Sequence, residues 1–201
     1  MWVKVCGVRS VAQARHAEAC GADAIGLNLH PASPRFVTPE LGARIAASVG
    51  LEVVMVVVDR SLEDLAALVA AVGPDTVQLH GSEGPALAAG LAVPAYRAFR
   101  AHGDVEAEIQ AWGPDRFLLD AHVPGLPGGT GRRVDEALAR RCASLGTLVL
   151  AGGLDPANVA GIASRVQPWG VDAASGVESS PGVQDPDRVR AFVAAARGVT
   201  G

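Results

Sequence analysis

Residues 147–177 read TLVLAGGLDPANVAGIASRVQPWGVDAASGV, and this stretch decides the fold. It contains two apolar runs of strand length, at 147–151 and 171–174, and a helical pattern of small and aliphatic residues at 158–166 lies between them. A strand, a helix and a second strand in this order predict one βαβ unit. The two strands of such a unit lie parallel and are joined by a right-handed crossover.

The same alternation extends in both directions from this unit. The predicted strands cover residues 2–6, 24–29, 53–58, 76–80, 95–100, 117–120, 147–151 and 171–174. The predicted helices cover residues 11–20, 39–49, 62–72, 85–91, 105–112, 135–144, 158–166 and 186–197. Eight such units with no linker-like break between them favour an α/β protein with a closed (β/α)8 TIM barrel. We expect residues 1–201 to form this barrel as a single domain.

The composition excludes several classes of protein. Hydrophobic residues make up 49% of the chain and aromatic residues 4%, which suits a sheet of Val, Leu, Ile and Ala buried on both faces. The net charge is −4 and the basic residues are scattered, so no nucleic-acid partner is expected. No apolar run is long enough to span a membrane. Cys6, Cys20 and Cys142 have neither disulfide-framework nor zinc-site spacing, which predicts a cytoplasmic protein without a metal.

The end of the first predicted strand carries a candidate catalytic thiol. Active sites of barrels lie at the C-terminal ends of the strands, so polar residues there are the first candidates. Cys6 ends this strand, and Lys4 lies two residues earlier on the same face. A positive charge at Lys4 would lower the pKa of Cys6 and allow the thiol to act as a base or nucleophile. A small cysteine packed as a hydrophobic residue is the alternative.

The sixth predicted strand ends in a candidate acid, Asp120. A carboxyl group at the end of a buried apolar strand costs free energy unless it has a hydrogen-bond partner or a catalytic function. Shielding from water favours its protonated form. The alternative is a solvated Asp that caps the next loop. That loop, residues 122–133, is rich in glycine, so it could close over a substrate or serve only as a flexible connector.

Two glycine-containing turns follow the seventh and eighth strands. Gly152-Gly153 and Ser175-Gly176 stand in the two loops that, with the start of a short extra helix, often bind phosphate in barrels. Glycine lets the peptide N–H groups approach the phosphate oxygens closely. Ordinary tight turns are the alternative for each pair taken alone. Both pairs together predict an anionic ligand held by Gly153, Ser175 and Gly176.

Arg35 and His80 are weaker candidates for substrate contacts. Arg35 follows the second strand, where a guanidinium can fork onto a carboxylate or stack on an aromatic ring, although an isolated arginine in such a loop is more often a surface residue. His80 ends the fourth strand on the same face as Gln78. It could bind substrate or merely hydrogen-bond a backbone carbonyl.

Taken in order, these segments resemble the phosphoribosylanthranilate isomerase family of tryptophan biosynthesis. The likeness extends over essentially the full chain. It is carried by Lys4-Val5-Cys6-Gly7, Gly21-Ala22-Asp23-Ala24 with Ile25-Gly26, Ser33-Pro34-Arg35, Gln78-Leu79-His80-Gly81, Leu118-Leu119-Asp120, Gly128-Gly129-Thr130-Gly131, Ala151-Gly152-Gly153-Leu154 with Asn158-Val159, Asp172, and Ser175-Gly176-Val177-Glu178 with Pro181-Gly182. Any one of these tetrapeptides could occur by chance, whereas the ordered set is distinctive.

The resemblance implies an Amadori rearrangement of N-(5-phosphoribosyl)anthranilate. In that reaction Asp120 is expected to protonate the furanose oxygen, and Cys6 to remove the proton from C2. Arg35 is expected to hold the anthranilate, Asp172 to lie beside the reacting amine or sugar, and His80 to contact the substrate. Gly153, Ser175 and Gly176 would bind the phosphate. Because the redox state does not change, no cofactor is expected, and the protein is expected to be a monomer or a homodimer.

Four positions depart from the family's pattern. Asn28, Arg9 and Gln184 stand where aromatic or aliphatic, small hydroxyl and Lys residues are usual, and Glu136 stands where an aromatic residue is common. Asn28 and Arg9 are expected near the mouth of the barrel, so they bear on the choice of substrate rather than on the fold. A related isomerase of another aminosugar phosphate and a non-catalytic phosphosugar-binding barrel are therefore the two alternatives. Many isomerases of the first kind pair two carboxylates, and Cys6 argues against that arrangement.

Overall fold

A computed structural model describes residues 1–113, 115–120 and 135–199 of this chain. Eight parallel strands form a closed barrel in chain order. They are β1 (Trp2–Cys6), β2 (Ala24–Asn28), β3 (Glu52–Val57), β4 (Thr76–Leu79), β5 (Ala95–Arg100), β6 (Arg116–Asp120), β7 (Thr147–Ala151) and β8 (Gly170–Ala173). The helices are α1 (Val11–Ala19), α2 (Pro39–Ala46), α3 (Leu62–Val72), α4 (Pro85–Ala89), α5 (Val105–Trp112), α6 (Glu136–Ala143), α7 (Val159–Val166) and α8 (Pro186–Arg197). The predicted (β/α)8 TIM barrel is confirmed.

The predicted helices differ from the observed ones only at their ends. Helix α2 ends at Ala46 rather than at residue 49, because the N–H and hydroxyl groups of Ser48 both bond to the carbonyl of Ile45 and tighten the last turn. Helix α4 is shorter than predicted because Gly90, a poor helix former, caps it. The predicted starts at 135 and 158 are instead the N-cap residues of α6 and α7.

The alternation of side chains along each strand separates two apolar layers. The larger layer lies between the sheet and the helices and includes Val3 and Val5, as the strand pattern predicts. A smaller cluster fills the barrel interior, and its members are Ala24, Val54, Tyr96, Ala98, Leu118, Val149 and Ala151. Lys4 and Cys6, which alternate with the two valines, therefore face inward together.

The N-terminal end of the barrel is closed by a charged and aromatic plug. The Arg116 guanidinium pairs with Glu52 at 2.8 Å and lies over the rings of Trp2, Trp169 and Tyr96. Trp2 and Trp169 stack on each other with ring centroids 5.1 Å apart. This end of a barrel usually serves stability rather than catalysis. None of the helices in the described ranges has the length and apolar character needed to cross a membrane.

A short insertion between β8 and α8 was not predicted from the sequence. It consists of a 3-10 helix, Ser175–Val177, and an antiparallel hairpin of β9 (Glu178–Ser180) and β10 (Val183–Gln184). Gly182 has a φ of +80° in the hairpin turn and lies so close to the loop after β2 that a Cβ atom there would be 2.5 Å from the Pro34 carbonyl oxygen. The Gln184 amide donates to the Cys6 carbonyl at 3.2 Å. The insertion thus joins the loops around the mouth of the barrel.

Candidate active site

A cavity of about 590 Å³ opens at the C-terminal ends of the strands. All eight site residues expected from the sequence line it, and they are Cys6, Arg35, His80, Asp120, Gly153, Asp172, Ser175 and Gly176. They come from β1, the loop after β2, the end of β4, β6, the loop after β7, β8 and the loop after β8. Closure of the barrel is therefore what brings the candidate thiol, carboxyl groups and glycine turns to one place.

The thiol of Cys6 lies in a tight space between β1 and β2. Gly26 on β2 faces it, and a Cβ atom at this glycine would be 2.6 Å from the Cys6 sulfur and 3.1 Å from Lys4 Cε. Burial raises the pKa of Cys6, and this effect outweighs the lowering by Lys4 and Arg35. Lys4 acts on Cys6 in the expected direction, but burial of the thiol has the larger effect, so the pKa of Cys6 is raised rather than lowered.

Lys4 is the centre of a buried polar network below the cavity. Its ammonium group, which is 0% exposed, donates to Asp172 Oδ2 at 2.8 Å and to Gln78 Oε1 at 3.0 Å. The Tyr96 hydroxyl also donates to Gln78 Oε1 at 3.0 Å. Burial by itself lowers the pKa of Lys4. Asp172 and the other groups around the ammonium raise the pKa by more than burial lowers it, so Lys4 stays charged. Burial raises the pKa of Tyr96.

The second oxygen of Asp172, Oδ1, does not take part in the bond to Lys4. Oδ1 is buried and, within the described part of the chain, has no hydrogen-bond partner. Asp172 also lines the cavity, so a donor on a bound molecule could reach this oxygen. An unsatisfied buried acceptor costs stability, which a ligand donor would recover.

Asp120 ends β6 and points into the same cavity as Cys6. It is half-buried, and it pairs in register with Arg100 of β5 and Ala151 of β7, so it is held at the rim of the sheet. Leu118, two residues earlier, belongs to the interior cluster. The glycine-rich stretch expected to close over substrate, residues 122–133, lies outside the described residues.

His80 also lines the cavity, and its ring contacts a side-chain amide rather than a backbone carbonyl. Its Nδ1 atom lies 3.0 Å from Gln78 Nε2. Burial lowers the pKa of His80, so the ring is neutral at pH 7. The loop that follows is fixed because Gly81 N–H donates to Glu83 at 2.9 Å, and the other Glu83 oxygen accepts from Asp59 N–H at 2.6 Å.

Arg35 forms a two-bond ion pair across the mouth of the barrel. Its Nε and Nη2 atoms donate to the two oxygens of Glu178, both at 2.7 Å. The side chain is 22% exposed and that of Glu178 is 3% exposed, so Arg35 is not an isolated surface residue. Gly7, with a φ of +80°, allows this packing, because a Cβ atom there would be 2.6 Å from Arg35 Cδ. No hydrogen bond among the described residues uses the Nη1 group, so its hydrogens can reach a ligand.

The two glycine turns pack directly against each other. Gly152 and Gly153 have φ values of +94° and +75°. A Cβ atom at Gly176 would overlap the Leu154 carbonyl oxygen and lie 2.8 Å from its carbon. Ser175 begins the short 3-10 helix. Among the described residues, the N–H groups of Gly153, Ser175 and Gly176 donate no hydrogen bond, so they are available to an anion.

Three parts of this site are not predicted from the sequence. Arg100 lines the cavity at the end of β5, and the rule that polar strand ends mark the site would have found it. The sequence predicts no role for Glu178, because its partner Arg35 is 143 residues away. The strand pattern predicts that Gln78 faces inward with His80, but it does not predict the contact of Gln78 with Lys4. In the described ranges, no group of three or more His, Cys, Asp or Glu side chains could hold a metal ion.

Comparison with known proteins identifies the family. The family model of N-(5'-phosphoribosyl)anthranilate isomerase matches residues 3–195. A curated N-(5'-phosphoribosyl)anthranilate isomerase from Geobacter sp. (strain M21) is 41% identical over 198 residues, 97% of each chain. The phosphoribosyl anthranilate isomerase of Thermotoga maritima has a TM-score of 0.90 at 32% identity, covering 98% of this chain and 99% of its own.

A further solved structure of such an isomerase holds reduced 1-(o-carboxyphenylamino)-1-deoxyribulose 5-phosphate. Its TM-score is 0.87 at 30% identity, and the match covers 98% of this chain and 99% of that one. Both the family model and the relatives thus extend over nearly the whole chain. This chain belongs to the N-(5'-phosphoribosyl)anthranilate isomerase family.

Proposed function

We propose that this protein isomerises N-(5'-phosphoribosyl)anthranilate to 1-(2-carboxyphenylamino)-1-deoxyribulose 5-phosphate. The observation that carries the proposal is that Cys6 and Asp120 face one cavity whose rim bears three peptide N–H groups, those of Gly153, Ser175 and Gly176, that donate to no other described residue. A thiol and a carboxyl group can supply the base and the acid of an Amadori rearrangement. The free N–H groups can hold the phosphate while both ends of the sugar are in reach.

The first step assigned to the site is opening of the furanose ring. Asp120 donates a proton to the ring oxygen, and the bond between that oxygen and C1 breaks. The nitrogen lone pair forms a C1=N double bond, which gives a protonated Schiff base of the open-chain sugar. The position of Asp120 at the half-buried rim suits this role, because the acid must reach both the sugar and, for reprotonation, water.

The second step is proton removal from C2 by Cys6. The thiolate takes the proton, and the electrons of the C2–H bond move to form a C1=C2 enolamine while the C=N electrons return to nitrogen. Proton loss from the C2 hydroxyl and proton gain at C1 then give the ketone, so the overall reaction is an isomerisation without a redox cofactor. A raised pKa makes the thiolate of Cys6 a minor form but a stronger base.

The remaining residues are proposed to bind the two ends of the substrate. Gly153, Ser175 and Gly176 hold the phosphate through their N–H groups. Arg35 offers its Nη1 group to the anthranilate carboxylate, while Glu178 keeps the guanidinium in place.

Two further contacts would lie near the reacting carbon atoms. Asp172 Oδ1 accepts from the amine or a sugar hydroxyl and so satisfies its unused hydrogen-bonding capacity. His80 contacts the same substrate from the end of β4. These two roles rest on the position of each side chain at the cavity wall.

The experiment that tests the function is turnover of phosphoribosylanthranilate by the purified protein, followed by the loss of anthranilate-type fluorescence. We expect turnover by the wild type and its loss in Cys6→Ala. Full turnover by Cys6→Ala would refute the proposed base. An assay with the aminoaldose phosphate of histidine biosynthesis in parallel detects a related isomerase. Heat stabilisation by ligand without any turnover would indicate a non-catalytic binding barrel.

The departures from the family's pattern do not favour either alternative. Asn28 lines the cavity, but its side-chain oxygen accepts from His30 N–H at 2.9 Å and so shapes its own loop. Arg9 donates to the Gly182 carbonyl at 3.2 Å and so braces the hairpin. The single-domain organisation of residues 1–201, the cytoplasmic location, the absence of nucleic-acid partners and the choice between monomer and homodimer stay predictions.

A further inference from the structure

The orientation of the Gln78 amide is fixed by its neighbours. An ammonium group has only donors, so the atom of Gln78 that Lys4 contacts at 3.0 Å must be the carbonyl oxygen. The Tyr96 hydroxyl donates to the same oxygen, also at 3.0 Å. The NH2 group of Gln78 must therefore point the other way, toward His80, where Nε2 lies 3.0 Å from ring atom Nδ1.

An amide NH2 group can only donate, so Nδ1 of His80 must accept. A ring nitrogen that accepts carries no hydrogen, and the neutral ring then has its hydrogen on Nε2. We propose that Gln78 is a positioning residue: oriented by Lys4, it holds His80 as the neutral imidazole with its hydrogen on Nε2, and the ring presents this uncharged donor to an oxygen atom of the substrate. The part that concerns the substrate rests on the proposed function.

The charges around His80 agree with a neutral ring. The groups that act on it are Asp120 of β6, Lys4 of β1, Arg100 of β5 and Asp172 of β8. Burial has the largest effect and lowers the pKa of His80, and the two cations lower it as well. The two carboxylates raise this pKa, but by less than the other groups lower it. No hydrogen bond uses Nε2 within the described residues, and the ring lines the cavity, so this N–H group is available to a ligand.

A neutral donor has a specific advantage beside Asp120. In the proposed mechanism Asp120 must carry a proton to the ring oxygen. An imidazolium ion close to it would stabilise the carboxylate and make that proton harder to keep. The Nε2–H group provides a hydrogen bond without this charge. Lys4, although 74 residues from Gln78, thus contributes to the site through two hydrogen bonds in series.

The direct test is long-range ¹H–¹⁵N NMR of the full chain labelled with ¹⁵N-histidine, which distinguishes the two neutral tautomers from the imidazolium. The signals of His80 are assigned by their loss in His80→Gln. We expect a protonated Nε2 and an unprotonated Nδ1 at pH 7. A hydrogen on Nδ1, or an imidazolium ion at pH 7, would overturn the proposal.

Variants of Gln78 test whether this residue sets the ring state. In Gln78→Glu a carboxylate replaces the donor, so we expect His80 to become the imidazolium or the Nδ1–H tautomer, and kcat to fall about tenfold. Gln110→Glu, an identical change on the exposed side of α5, should alter neither. An unchanged His80 spectrum in Gln78→Glu would contradict the proposal. If that variant does not fold, Gln78→Met should give a mixture of tautomers, and a pure Nε2–H ring there would be the contradicting result.

The spectrum separates this inference from the proposed function. It is recorded without substrate, so an Nε2–H ring in a protein that fails to turn over phosphoribosylanthranilate would leave the assigned tautomer standing and refute the function. Normal turnover by a protein whose His80 carries its hydrogen on Nδ1 would refute the assigned tautomer and leave the proposed function supported.

Discussion

Gly176→Ala tests the contact between the two proposed phosphate loops. The new methyl group would overlap the Leu154 carbonyl oxygen and lie 2.8 Å from its carbon and 3.1 Å from Asp155 Cα. All three are backbone atoms, so no side chain can rotate away. A comfortable carbon–carbon contact is about 3.5 Å or more, so the loops must separate by roughly 0.7 Å at the carbonyl carbon and by more at the oxygen.

A shift of this size is large for a binding site. A misplacement of about 1 Å can cost about 100-fold in rate, and we expect kcat/KM of Gly176→Ala to fall by about that factor. Part of the loss should appear in kcat, because the binding energy of a remote phosphate helps to position the reacting atoms. Overpacking should destabilise the fold by about 1–3 kcal/mol. The assay is steady-state fluorescence, with inorganic phosphate as a competitive inhibitor and thermal unfolding in parallel.

A glycine in the adjacent helix provides the matched control. Gly161 lies in α7, and a Cβ atom there would meet only the flexible end of Arg165, at 3.1 Å. Gly161→Ala should keep wild-type kinetics and gain about 0.5–1 kcal/mol of stability from helix propensity. Wild-type KM and phosphate inhibition in a folded Gly176→Ala protein would refute the assignment of these loops.

Three further predictions concern the charged residues and the thiol. Lys4→Met leaves Asp172 as a buried charge without its cation and should lower the free energy of unfolding by about 3–5 kcal/mol in urea titrations, whereas a loss below about 1 kcal/mol would contradict the network. Arg116→Met removes the pair with Glu52 at the N-terminal end of the barrel. It should cost about 2 kcal/mol of stability and leave kcat/KM unchanged well below the melting temperature. A loss of kcat/KM under these conditions would argue against the separation of the stabilising end of the barrel from the catalytic end. The rate at which iodoacetamide alkylates Cys6, followed by mass spectrometry, should continue to rise above pH 8.5, which is about the usual cysteine pKa. The reason is that only the thiolate reacts and burial raises the pKa of this thiol. A rate that levels off near pH 7 would show that the pKa of Cys6 is lowered instead.

The fold and the position of the site could be predicted because both depend on local patterns. Each βα unit shows its strand and helix in consecutive residues, and the barrel then fixes where every strand ends. Cys6 and Asp120 were found by this rule alone, as polar residues at the ends of apolar strands. The same rule, applied to β5, would have added Arg100.

The interactions within the site could not be predicted because they join residues far apart in the chain. Lys4 and Asp172 are 168 residues apart, and their contact exists only because β1 and β8 close the barrel. Burial of the thiol is the main reason that the pKa of Cys6 is raised despite Lys4, and Asp172 offsets only a part of the lowering by Lys4. The ion pair of Arg35 with Glu178 likewise depends on the insertion after β8.

The most direct test of the central claim is a kinetic isotope effect measured with substrate deuterated at C2. If Cys6 removes this proton, Cys6→Ser should slow that step and show a full primary isotope effect on kcat. If Asp120 opens the ring, Asp120→Asn should slow the earlier step and show a suppressed isotope effect. The reverse pattern would contradict the assigned roles, and wild-type rates in both variants would show that neither the thiol nor the carboxyl group is the catalyst.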